Sequence, residues 1–150
     1  MKTLDLHQAQ HFMVLYSNYS VYSMVKAVRD DVKNAADQCA ENNKDMKAEL
    51  NKKFDEWDAS VVPTMEQADK NIQSMALAQS YIPQSELKVI YLLVDQARAE
   101  NSSRFETTPL TTPEACEFMM SKMDETAKSM NLLLQSTLIS YPQMLRKNQR

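Results

Sequence analysis

The chain has 150 residues, 25% of them charged, a net charge of −3 and no glycine. Glycine is the usual residue for positive-φ turns, bulges and phosphate-cradling loops, so P-loops, dinucleotide turns and nucleophile elbows are excluded. The acidic balance also excludes nucleic acid as the main partner, because phosphate neutralisation needs a basic face.

With 43% hydrophobic residues, the sequence predicts one globular domain over 1–150 with a single sizeable core. Eleven methionines read as flexible core filler rather than thioether ligands. The longest charge-free run, 6–25, contains His7, Gln8, Gln10, His11, Ser17, Asn18, Ser20 and Ser23, too polar for a transmembrane segment. No apolar stretch follows Met1-Lys2, so no signal peptide is expected in the chain as given. The location is cytoplasmic if Met1 is native, and periplasmic or secreted if a leader was removed.

From Leu4 to Cys39, core positions recur in alternating steps of three and four: Leu4, His7, His11, Val14, Asn18, Val21, Val25, Val28, Val32, Ala35 and Cys39. That seven-residue repeat predicts a long helix packed in a bundle. Asn42-Asn43 is its stop, because Asn tolerates the left-handed cap conformation in the absence of Gly. A second stripe, Met46, Leu50, Phe54, Trp57, Val61, Met65, Ala68, Ile72, Met75 and Ile82, stays in phase across Pro63 and closes at Pro83. It predicts a helix kinked at Pro63, or two helices on one axis. A third helix is expected over 85–104 on Leu87, Ile90, Tyr91, Val94 and Ala97, followed by a Thr/Pro-rich connector over 106–112. Thr112-Pro113-Glu114 then opens a fourth helix, with Thr as N-cap, Pro at the first position and a carboxylate at the positive dipole end. Its stripe is Cys116, Met120, Met123, Ala127, Met130, Leu134, Thr137 and Tyr141, and Pro142 weakens its last turn.

Two folds compete. Residues 4–61 form one helix, or the chain turns at Asn42-Asn43. Segments 6–25, 71–85, 89–94 and 129–145 lack Asp, Glu, Lys and Arg entirely, and only the turned chain gathers them at one end. The expected fold is therefore all-α, an up-down-up-down antiparallel four-helix bundle with long helices. It places Cys39 and Cys116 together at the charged end, leaving a disulfide or two buried thiols as the alternatives.

The charge-free end carries the candidate binding residues: His7, His11, Tyr16, Asn18, Tyr19, Tyr22, Tyr81, Tyr91 and Tyr141. Tyrosine combines apolar bulk with a polar tip, which suits an interface or a ligand pocket. His7 and His11, four apart, share a helix face as a two-His metal site requires, with Asp5, Met130 or Met144 as further donors. The competing reading is a pair of interior histidines that bond to Asn18, Gln10 or solvent. Neither histidine belongs to a Glu-x-x-His pair, so a di-iron bundle is excluded. The run from Asp30 to Asp58 alternates in sign and reads as a solvated face.

The segment Asp5-Leu6-His7-Gln8-Ala9-Gln10-His11 resembles the amino-terminal histidine segment of periplasmic nickel/cobalt-sensing helical hairpins. The resemblance implies metal binding by His7 and His11, but the later His and Met ligands of that family have no matching motif.

No nucleophile-base arrangement is visible, so no catalytic residue and no enzymatic activity are expected, and no cofactor beyond a metal ion. The leading expectation is a binding module whose charge-free end engages a protein partner, its own copy or a small apolar ligand. The alternatives are an extracytoplasmic four-helix sensor-type domain and a metal-binding bundle centred on His7 and His11.

Overall fold

The protein is represented by a computed structural model that describes the backbone of residues 3–103 and 112–148 and the side chains of 3–100 and 112–138. It is all-α: four helices, α1 (Leu6–Asn42), α2 (Lys47–Leu77), α3 (Gln84–Ser103) and α4 (Pro113–Asn148), with a short 3-10 turn at Lys44–Met46. No strand occurs among the described residues.

Each helix end has a local cause. Asp5 caps α1 through a reciprocal box in which Gln8 N–H donates to Asp5 Oδ1 at 2.8 Å and Asp5 N–H donates to Gln8 Oε1 at 3.1 Å. The chain does turn at Asn42-Asn43, but not through a left-handed residue. Asn43 has φ −135° and ψ 77°, and no described residue has positive φ. The terminal carbonyls are met by amides instead. Asn42 Nδ2 donates to Gln38 O at 2.9 Å, while the Asn43 N–H and Nδ2 both reach Cys39 O, at 2.9 and 3.3 Å. Thr112 caps α4 as expected, its Oγ1 accepting from Ala115 N–H at 3.2 Å. Pro63 lies inside α2, and helix continues on both sides of it. That helix ends at Leu77 rather than at Pro83, because Gln79 stabilises a turn. Gln79 Oε1 accepts from Ile82 N–H at 2.8 Å, and its Nε2 donates to Ala76 O and Ile82 O.

Helix α1 packs against α2, α3 and α4, and α2 also packs against α4. Two apolar clusters form. The larger joins α1, α2 and α4 and contains Val25, Leu50, Trp57, Val61, Met120, Met123 and Leu134. The smaller joins α1, α2 and α3 through Leu15, Ile72, Met75, Ala76, Ile82 and Leu87. Because α1 has neighbours on three sides, its buried face is wider than one heptad seam. Leu15, Ser23, Ala36 and Ala40 are buried in addition to Asn18, Val25 and Cys39, whereas His7 is exposed. Met65, Met75, Met120 and Met123 are core residues.

At the charged end, Arg29 forms a two-pronged ion pair with Asp58, Nε–Oδ1 2.6 Å and Nη2–Oδ2 3.2 Å. Cys39 and Cys116, both wholly buried, stand at disulfide distance with a Cα–Cα separation of 5.8 Å. The pair lies on α1 and α4, 77 residues apart in sequence. A cross-link of that span stabilises the native state by about 4 kcal/mol in the chain-entropy account. Dithiothreitol is therefore expected to lower the urea midpoint markedly, and Cys39→Ser/Cys116→Ser should reproduce the shift. An unchanged midpoint on reduction would remove the staple from the stability of this fold.

Candidate functional site

Cross-helix contacts bring parts of the four charge-free stretches together. Tyr81 reaches back to α1, its hydroxyl hydrogen-bonded to His11 Nδ1 and its ring edge-on to the imidazole at 5.7 Å. Tyr91 of α3 stacks on Tyr19 of α1 with ring centroids 4.0 Å apart. Tyr22 lies tilted to Tyr19 at 6.2 Å and carries the Lys26 ammonium 5.7 Å over its ring. Asn18 is buried between α1, α2 and α4, where its Nδ2 donates to Thr137 O at 3.3 Å and to Met75 Sδ at 3.4 Å.

The expected residues therefore divide by role. His11, Tyr19, Tyr81 and Tyr91 join elements of the fold, and Asn18 is a core polar residue. His7 and Tyr16 are exposed, so the reading of both histidines as interior does not hold. His11 is hydrogen-bonded to Tyr81. The side chains of Tyr141 and Met144 fall outside the described residues. Among the described residues, no group of three or more His, Cys, Asp and Glu side chains is placed to hold a metal ion.

The sequence reading missed Asp95, which ties α3 to α1. Its carboxylate accepts from Tyr19 Oη at 2.8 Å and from Ser23 Oγ at 2.6 Å. Arg98, one turn on, donates from Nη2 to Ser20 O at 2.9 Å. Burial, then the bond to Asp95, pushes the Tyr19 hydroxyl pKa up, and burial does the same for Tyr91. The available signal was position: Asp95 lies four residues beyond Tyr91, on the same helix face.

Two cavities adjoin the His11–Tyr81 contact. One, of about 270 Å³, lies between the start of α1 and the 78–83 connector and is bordered by His7, His11, Gln79 and Tyr81. The other, of about 590 Å³, is lined by Leu4, Phe12, Tyr81, Ile82 and Ile90, with Glu86 at its edge. Its size falls in the range of small-molecule pockets.

The His11 pKa is lowered, first by burial and then by the neighbouring His7. The folded state thus favours neutral imidazole, and His11 contributes stability above its ordinary pKa of 6.5 that is lost as pH falls through its lower folded value. Thermal midpoints should fall between pH 7 and pH 5, with a shallower fall in His11→Gln; equal slopes would remove His11 as the source. Asp95→Ala removes the acceptor of two bonds from α1. A partly exposed site of this kind is expected to cost about 1–3 kcal/mol and to speed amide exchange in α3 before the other helices. Uniform loss of protection across all four helices would contradict this.

No family model, no curated protein and no solved structure matches the chain.

Proposed function

We propose that this chain is a non-enzymatic binding module whose charge-free, tyrosine-rich end takes a small ligand. In this reading the four helices run up-down-up-down, with α2 kinked at Pro63, where the ring removes the N–H that would bond to the carbonyl of Ala59. The carrying observation is the cavity of about 590 Å³ lined by Leu4, Phe12, Tyr81, Ile82 and Ile90. A mostly apolar concavity with few polar groups is the usual form of a small-molecule site. The same end leaves Leu6 77% and Met13 62% exposed, which supports a protein partner or a second copy of the chain as a further occupant of that surface.

One observation favours a second, compatible reading, an extracytoplasmic sensor-type domain. Cys39 and Cys116 stand at disulfide distance, and disulfides persist in oxidising compartments. The metal-binding alternative has only the two imidazoles of α1 in its favour.

Native mass spectrometry of the protein purified from its own host without chelator tests both readings in one preparation. The expected spectrum carries a bound organic mass, a dimer or a co-purifying protein. The expected denatured sample takes up no alkylating reagent until it is reduced. A bare monomer would overturn the binding module, and alkylation of both cysteines without reduction would overturn the extracytoplasmic reading.

A further inference from the structure

We infer that the cavity between the start of α1 and the start of α3 binds a small organic cation, a compound with an apolar or aromatic body and one protonated amine. This rests on the small-ligand reading above and names the class of ligand for the same end. The juxtaposition that carries it is one carboxylate, Glu86, in a cavity also lined by the aromatic residues Phe12 and Tyr81 and the aliphatic residues Leu4, Ile82 and Ile90. Among the described lining residues, Glu86 is the sole charged side chain.

Each ligand class meets this lining differently. An anion brings its charge towards Glu86, with no cationic side chain among the described lining residues to receive it. A neutral apolar molecule gains from the walls and leaves Glu86 as it was. An amine gains from the same walls and adds an ion pair, while the rings of Phe12 and Tyr81 attract a cation through their quadrupoles. The Glu86 carboxylate forms no ion pair with a described residue and so is available to a ligand. Glu86 also stands in the first turn of α3, where a carboxylate suits the positive end of the helix dipole. That role does not use up its acceptor capacity, since a carboxylate has about four lone-pair sites. The Tyr81 hydroxyl is hydrogen-bonded to His11.

Isothermal titration with three probes tests the inference: 2-phenylethylamine as the cation, 2-phenylethanol as its neutral counterpart and 3-phenylpropanoate as the anion. The expected order is amine tightest and carboxylate weakest. Glu86→Gln should weaken the amine about fivefold, the weight of one exposed ion pair of about 1 kcal/mol, and leave the alcohol unchanged. Ile90→Trp, checked for retained helicity by circular dichroism, fills the cavity and should abolish binding of both. Equal binding of amine and alcohol, with neither altered by Glu86→Gln, would overturn the cationic class while leaving a ligand cavity in place. Unchanged amine affinity in Ile90→Trp, or no binding of any probe to the wild type, would overturn the cavity as the site. The wider binding-module reading would then still be decided by what the host-purified protein carries.

Discussion

The carbonyl of Thr137 is the point on which three helices agree. Asn18 of α1 and Asn71 of α2 both donate to it, at 3.3 and 3.0 Å. Asn18 is 4% exposed and Thr137 1% exposed, so the Asn18 amide and the Thr137 carbonyl are removed from water and depend on each other for hydrogen bonds, while Asn71 is half-buried. Made, such bonds contribute about 1 kcal/mol each; broken by a slip of one helix, they leave buried polar groups at a cost of about 1–3 kcal/mol apiece. Leucine and methionine surfaces tolerate sliding far better than a shared carbonyl does. The clasp therefore sets register where the apolar contacts alone leave it loose, the role best attested for buried asparagine in helical assemblies.

The two apolar clusters lie on either side of that polar layer. One, around the Cys39–Cys116 pair, draws on α1, α2 and α4. The other draws on α1, α2 and α3. Helix α3 contributes one wholly buried large side chain to it, Leu87, and leaves Val89, Leu92 and Leu93 exposed. It is held to α1 mainly by directional contacts: Tyr91 on Tyr19, Asp95 on Tyr19 and Ser23, and Arg98 on Ser20. An element with little buried apolar area and several part-exposed polar ties opens at lower free energy than the core helices. The wall of the larger cavity that carries Glu86 and Ile90 belongs to this element, so the side that meets a ligand is also the side best able to adjust to one.

Much of this architecture was legible in the sequence, and the errors have physical reasons. The heptad steps located α1, and Thr112-Pro113 located the start of α4, because caps and periodicity are local signals. His7 continues the heptad steps into the first turn of α1, yet it is exposed there. Leu15 and Ser23 were missed because a single seam assumes partners on one side, and α1 has them on three. The end of α2 at Leu77 is hidden in the sequence, since Ile82 continues the apolar phase and the turn built by Gln79 leaves no trace in periodicity. Asp95 is not legible in the sequence because a charged residue ordinarily marks a solvated face, whereas this one bonds to α1.

The lack of glycine links these details to function. Helix ends elsewhere are often closed by a left-handed glycine. Here neutral side-chain amides take that place: Asn42 and Asn43 at the end of α1, Gln79 and Gln84 at the end of α2. An amide offers donor and acceptor together, so it can satisfy orphaned backbone groups without bringing a charge. That allows the 78–83 connector to turn beside an apolar cavity with neither a lysine nor an aspartate in it. A helix terminus capped by ionic side chains would fill the same space with fields of both signs. Because the amides that close the 78–83 connector are neutral, Glu86 is left as the sole charged side chain among the described residues that line the cavity.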